Sequence, residues 1–431
     1  MKKRRIDTTP FDRWREPPKQ NLPIMPLLWF WCWLMTRSGR LRIHKTNMEG
    51  LRPPFLVLAT HHSFMDFYVT PLCLFPHRAN YVSELEGFEY YGEWLYRQIG
   101  CLGTRKFVND TALVRNIRRC MERGGILVIY PEARYANVGT SSLLPPSTAK
   151  LIRYLKVPVV TLNMRGNYLQ SPIWNLRKRK GVRLEANMKR LLTAEEAEKL
   201  PLDEIQRAVQ EALTYDEYAW QYRTGMVIDP PWKAEGLEHP LYQCASCGTE
   251  FRMASEGEEL FCTACGARWR MTALGQLERI GASTRFRHIP DWYEWERIQV
   301  EQEISMGKYQ ADFRVRVQSL PNAVNFIELG EGRLRHNRDG FSLTFTDYGE
   351  SGPKTLRFSA RSTFSIHTEY NYRGQGECIT LSTPDNTYFL YPLEDGLSAT
   401  KLQFAAEFLW QLSGENYTSR YETNESSFPK V

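Results

Sequence analysis

Ala59-Thr60-His61-His62-Ser63-Phe64-Met65-Asp66 is the stretch whose reading decides the fold. It follows Phe55-Leu56-Val57-Leu58, an unbroken apolar run with the texture of a strand buried on both faces. The residues after it, Phe67 to Leu74, suit a short buried helix containing Pro71. His61 then stands where a strand ends, and Asp66 about one turn into the next element. That spacing lets a carboxylate meet an imidazole, fix its tautomer and leave the other ring nitrogen to take a proton from a hydroxyl. Ser63-x-x-Asp66 is equally the pattern of a helix capping box, and from these residues alone both readings stay open.

Working outward, apolar strands alternate with helical patterns. Asn80 to Ser83 is a short strand, Thr111 to Arg123 a helix closed by Gly124-Gly125, and Ile126 to Tyr130 a buried strand. Ser147 to Leu155 is a helix and Val157 to Leu162 the next strand. This alternation predicts an α/β domain with a largely parallel sheet, whose ligand site gathers at the carboxyl ends of the strands. His61 and Glu132 both fall at such ends.

His61-x-Ser63-x-x-Asp66 at a strand end resembles the first motif of the glycerolipid (lysophosphatidate-type) acyltransferase superfamily. Three further blocks follow in that family's order: Gly103 to Asn109, Tyr130-Pro131-Glu132-Ala133-Arg134, and Val157-Pro158-Val159-Val160. The resemblance spans about residues 25–230. It implies that His61 is a general base oriented by Asp66, that the donor is an acyl-CoA or acyl-carrier protein, and that the acceptor is lipid-like. It also implies that Glu132, Arg134, Arg105 and Lys106 bind that acceptor. Two departures concern the arginines with which the family holds its acceptor's phosphate. Asn109 stands six residues beyond Gly103 where an arginine is usual, and Tyr135 stands three residues after Glu132, with Arg134 one position early. Glycerol-3-phosphate and lysophosphatidate are therefore poorly matched acceptors.

The net charge of +7 is concentrated at the start of the chain. Residues 1–60 hold twelve Lys/Arg against four Asp/Glu, a local +8 that leaves −1 for everything after. Among these charges lies Leu27-Leu28-Trp29-Phe30-Trp31-Cys32-Trp33-Leu34-Met35, too short to span a bilayer but suited to its headgroup boundary. A helix packed on its own domain is the other use of such a segment. The basic flank favours a membrane surface, with Arg177-Lys178-Arg179-Lys180 as a second basic run. Of nine cysteines, five are scattered singly and no secretory signal precedes them, so the expected compartment is reducing, at the inner face of a membrane.

Asp229-Pro230-Pro231-Trp232 marks a boundary. Beyond it, Cys244-x-x-Cys247-Gly248 and Cys262-x-x-Cys265-Gly266 are two knuckles of a zinc ribbon, four sulfurs closing a structural Zn2+ site. Glu250, Glu256, Glu258 and Glu259 between them would repel a phosphate backbone, so no nucleic acid is expected. From about Ile280 short alternating strands run to a helix at Ala399–Leu412 capped by Ser398, a pattern similar to a pleckstrin-homology-like (PH-like) barrel with a protein partner. The expected organisation is an acyltransferase domain at 1–235, the ribbon at 236–275, the PH-like domain at 276–415 and a flexible tail at 416–431. The expected function is acyl transfer to a lipid hydroxyl at a membrane surface. The alternative is a lipid-binding scaffold without catalysis.

Overall fold

A computed structural model describes residues 6–394 and 396–414. Lys2, Lys3, Arg4 and Arg5 of the basic start, and the tail expected at 416–431, lie outside the described residues. Seven strands form the first sheet: β1 (Arg42–Thr46), β2 (Phe55–Ala59), β3 (Ala79–Glu84), β4 (Cys101–Thr104), β5 (Ile126–Ile129), β6 (Val159–Arg165) and β7 (Glu185–Leu192). Their order is β1-β7-β6-β2-β5-β3-β4, and every pair is parallel except β6 with β7. β2 lies at the centre with all five residues buried, which is why it reads as a continuous apolar run. The chain leaves β2 toward β5 on one side and β6 on the other, so a crevice opens above its carboxyl end.

Local signals set the flanking helices. Asp110 caps Thr111–Glu122 through its side chain, and Thr193 with Glu196 forms a reciprocal capping box for Ala194–Lys199. Pro201 separates that helix from the next, Leu202–Ala212.

The ribbon is a four-stranded antiparallel sheet of β8 (Met253–Glu256), β9 (Glu259–Cys262), β10 (Arg268–Met271) and β11 (Leu277–Arg279). The start of the next region corrects the sequence reading. Ile289–Ser305 is a 17-residue helix where the β pattern was expected to have begun. Ile289, Trp292, Tyr293, Val300 and Ile304 form its buried face, but buried Glu296 and Arg297 interrupt the apolar stripe and hide the period. The third sheet then comprises β12 (Ala311–Leu320), β13 (Ile327–Asn337), β14 (Gly340–Thr346), β15 (Pro353–Ser359), β16 (His367–Glu369), β17 (Cys378–Ser382) and β18 (Thr387–Pro392). All pairs are antiparallel, in the order β15-β14-β13-β12-β18-β17-β16. The helix Ala399–Leu412 follows, with the Ser398 hydroxyl accepting from Lys401 N–H as its cap.

These units are not separate beads. One hydrophobic core contains Trp174 and Tyr218 of the α/β domain, Leu260 and Trp269 of the ribbon, and Val315 and Phe404 of the C-terminal unit. A second joins Val57 and Phe88 to Leu320 and Phe389.

Candidate active site

The carboxyl ends of β2, β5 and β6 meet around one buried carboxylate. Asp66, 1% exposed, opens the helix Asp66–Leu74. Its Oδ2 accepts the His62 N–H at 2.6 Å and the Ser63 N–H at 3.1 Å, and lies 3.1 Å from His61 Nδ1. Its Oδ1 accepts the Asn167 amide at 2.7 Å. Both sequence readings are therefore partly met. The acid supplies half of a capping box through Ser63 N–H, while Ser63 Oγ turns to Met65 N–H and the Asn167 carbonyl, and the same oxygen of Asp66 holds the imidazole. A carboxylate at Nδ1 keeps the proton there, leaving Nε2 with its lone pair.

The His61 ring is held flat between tyrosines, stacked on Tyr130 at 4.4 Å and tilted against Tyr135 at 4.5 Å. Tyr130 is itself fixed by a 3.0 Å hydrogen bond with Thr70, whose hydroxyl donates to the Asp66 carbonyl. Neighbouring His62 is different. It is fully buried beneath Tyr215, its Nε2 2.8 Å from Thr60 Oγ1, and burial pulls its pKa down to about 4. It belongs to the packing under the site.

His61 opens onto a cavity of about 730 Å³. Leu113, Val114, Ile117, Ile129 and Leu151 give part of its wall an apolar lining, while Glu84 and Lys106 contribute charge.

The four residues expected to hold an acceptor are dispersed. Glu132 is buried and does not line the cavity. Its Oε1 accepts the His61 backbone N–H at 3.3 Å and its Oε2 the Ser142 N–H at 2.8 Å, with Tyr215 OH 3.4 Å from both. It braces the backbone that carries the histidine. Arg134 faces away from the cavity, its Nη2 2.9 Å from Glu407, which also pairs with Arg297 at 2.6 Å. Arg105 donates to the carbonyls of Leu320, Pro321 and Asp385 and to Thr387 Oγ1, so its guanidinium fastens the C-terminal unit to the α/β domain. Of the four, Arg105 and Lys106 line the cavity, and the Lys106 ammonium, unlike the Arg105 guanidinium, pairs with another lining residue, 2.5 Å from Glu84 Oε2.

Sequence reasoning missed Asn167 and the two tyrosine rings. Asn167 opens the short helix Asn167–Gln170, 101 residues away, and nothing local marks an asparagine as a carboxylate donor.

With this geometry in place, comparison with known proteins gives a family match. Residues 42–165 match the family model described as Acyltransferase. The match covers less than a third of the chain and takes in β1 to β6 with His61, Asp66 and Glu132. Among solved structures, the 1-acyl-sn-glycerophosphate (LPA) acyltransferase PlsC from Thermotoga maritima is similar over 44% of this chain and 76% of its own, at 15% identity and a TM-score of 0.37. No curated protein matches the sequence.

A second cluster lies in the ribbon. The Sγ atoms of Cys244, Cys247, Cys262 and Cys265 all lie within 4.8 Å of one another, with Cys244–Cys265 at 3.8 Å and Cys247–Cys262 at 3.9 Å. Sulfurs bound tetrahedrally at about 2.3 Å from a metal are about 3.8 Å apart, whereas a disulfide needs about 2.05 Å. The four thiols fit a metal ion. No helix among the described residues is long and apolar enough to cross a membrane.

The bracing role of Glu132 has a pH signature. Burial pushes its carboxyl from 4.5 up to about 7, against the pull of the backbone N–H groups of Ser142 and His61. Below pH 4.5 folded and unfolded chains both hold the proton; between 4.5 and 7 the unfolded chain sheds it first, so this group's contribution to stability falls as pH rises. Glu132→Gln does not titrate. Urea titrations at pH 5 and pH 8 are expected to show the variant gaining on the wild type by up to about 3 kcal/mol at the higher pH, over a constant offset from its lost acceptor. Parallel pH dependence of the two proteins would refute a buried, destabilised carboxyl.

Proposed function

We propose that the chain is an acyltransferase in which His61 removes the proton from an acceptor hydroxyl while that oxygen attacks an acyl thioester. The observation that carries this reading is His61 Nδ1 tied to the buried, four-times-bonded Asp66, with His61 lining a large, partly apolar cavity. The match to the Acyltransferase family model over these residues supports it. In the step, a C–O bond forms and the C–S bond breaks; the proton taken by His61 Nε2 returns to the leaving thiolate. Asp66 stabilises the imidazolium in between. The donor is an acyl-CoA or acyl-carrier protein and the acceptor a lipid hydroxyl. A scaffold without catalysis would gain nothing from an imidazole held in one tautomer.

The enzyme works at a membrane surface. Leu27, Phe30, Trp31 and Trp33 on the helix Met25–Thr36 are each more than half exposed, while Trp29 turns inward onto Phe75 at 5.1 Å. Exposed Lys178 reaches back to the Met35 carbonyl, so basic residues flank the aromatic face. The cysteine cluster holds structural Zn2+, which its sulfur spacing suits. The PH-like reading of the C-terminal unit is supported by its seven antiparallel strands, with the first beside the last, and by the closing helix.

Three measurements test these assignments. Purified His61→Ala is expected to lose about 10²–10⁴-fold in transfer from a long-chain acyl-CoA or acyl-carrier protein to single-chain lipids, with an unchanged fold. Asp66→Asn should lose much of the rate and also some stability, since it also holds two backbone N–H groups. Wild-type turnover in His61→Ala would refute the base. On anionic liposomes, Trp31→Ser with Trp33→Ser should abolish most flotation, whereas Trp29→Ser should chiefly weaken packing; flotation indifferent to the exposed pair would leave the helix without a membrane role. Metal analysis should find one zinc per chain with Zn–S near about 2.3 Å, and zinc-free protein with reduced cysteines would remove the site.

A further inference from the structure

The cavity beside His61 is not built by the α/β domain alone. Ser362, Phe364, Glu369 and Tyr372 of the C-terminal unit line it together with His61 and Tyr135. The seam is tied at Lys106, whose ammonium lies 2.5 Å from Glu84 of β3 and 3.0 Å from His367 Nε2 of β16. His367 Nε2 is in turn 3.0 Å from Glu369. His61 is near enough to His367 for positive charge on one to disfavour it on the other.

The charges at this end of the cavity are unbalanced toward acid. Glu84, Glu86 and Glu369 line it. Lys106 is the cation between them, and its closest ionic contact is Glu84. Glu86 has no ion-pair partner within hydrogen-bonding reach among the described residues. The other cations of the lining are turned elsewhere: both terminal nitrogens of Arg105 are taken by the C-terminal unit, and Arg373 pairs with Glu89. A phosphate monoester set down here would meet carboxylates before it met a free guanidinium, and a guanidinium pair is what holds such a group well. A hydroxyl or ammonium head would find acceptors on both walls.

We propose that the C-terminal unit completes the substrate cavity and that Glu369, with Glu84 and Glu86 opposite, selects an acceptor whose head donates hydrogen bonds, as hydroxyl or ammonium, over one bearing a phosphate monoester. The inference rests on the acyltransferase reading and deepens it. Burial pushes Glu86 up to about 8, with Glu84 adding to the shift, and Glu369 up to about 7. A donor head would favour the charged carboxylates, and a phosphate would hold them protonated.

The test uses the full chain carrying His61→Ala, so that binding is read without turnover. Three single-chain lipids of equal length are titrated below their aggregation concentration: a monoacylglycerol, a long-chain amino alcohol and a lysophosphatidate. At least one of the first two is expected to bind about tenfold or more tightly than the lysophosphatidate, the scale of one charge-assisted hydrogen bond. Comparing those two says whether hydroxyl or ammonium is preferred. Glu369→Gln and, separately, Glu86→Gln should shrink that preference and, in the His61-containing enzyme, raise KM for the acceptor more than for the thioester. Lysophosphatidate binding as well as or better than both, or equal affinity for all three, would overturn the inference, and the preference measured without either glutamate change decides this even if a glutamine variant fails to fold. The underlying reading fails differently, through absence of His61-dependent transfer to any of the three lipids whatever their affinities.

Discussion

One carboxylate holds the centre of this molecule. Asp66 is almost fully enclosed, and its two oxygens face the imidazole of His61, two backbone N–H groups and the amide of Asn167. Each contact does a separate job. The N–H groups of His62 and Ser63 fix the turn between β2 and its helix, the Asn167 amide draws in the short helix after β6, and the histidine takes its tautomer from what remains. A buried charge survives only where donors surround it, so the condition for placing Asp66 in the core is also the condition that aligns the ends of β2 and β6. The geometry proposed for catalysis and the local fold rest on the same set of hydrogen bonds.

A second layer repeats the logic with Glu132. Its oxygens hold the His61 and Ser142 N–H groups, and burial keeps its carboxyl near neutrality. The histidine is thus positioned from the front by its ring nitrogen and from behind by its backbone.

The sequence made the parallel sheet legible because its central strands are buried on both faces and read as plain apolar runs. His61 and Asp66 were legible because five-residue spacing across a strand end allows few other arrangements, and the cysteines because paired knuckles leave little freedom. What stayed hidden was long-range. Arg105 and Arg134 stand inside recognisable motifs, yet their guanidinium groups face Leu320, Pro321 and Glu407, more than two hundred residues along the chain. No local pattern says that a motif arginine has been taken by a neighbouring domain. The helix Ile289–Ser305 was obscured for a related reason: Glu296 receives the Gln243 N–H and Arg297 pairs with Glu407, so polar residues occupy its buried face.

Breaks in composition near residues 235 and 275 suggest three parts that could be handled singly. The shared core argues otherwise. Trp174 and Tyr218 before the first break are packed in one continuous cluster with Trp269, Trp292 and Phe404 after it. A chain ended at the first break would present those aromatic faces to water, together with the seats of Arg105 and Arg134. The smallest piece able to fold is then set by where the last of these side chains finds its neighbours, close to the end of the helix Ala399–Leu412, and a substitution in one part is answerable to the packing of the other two.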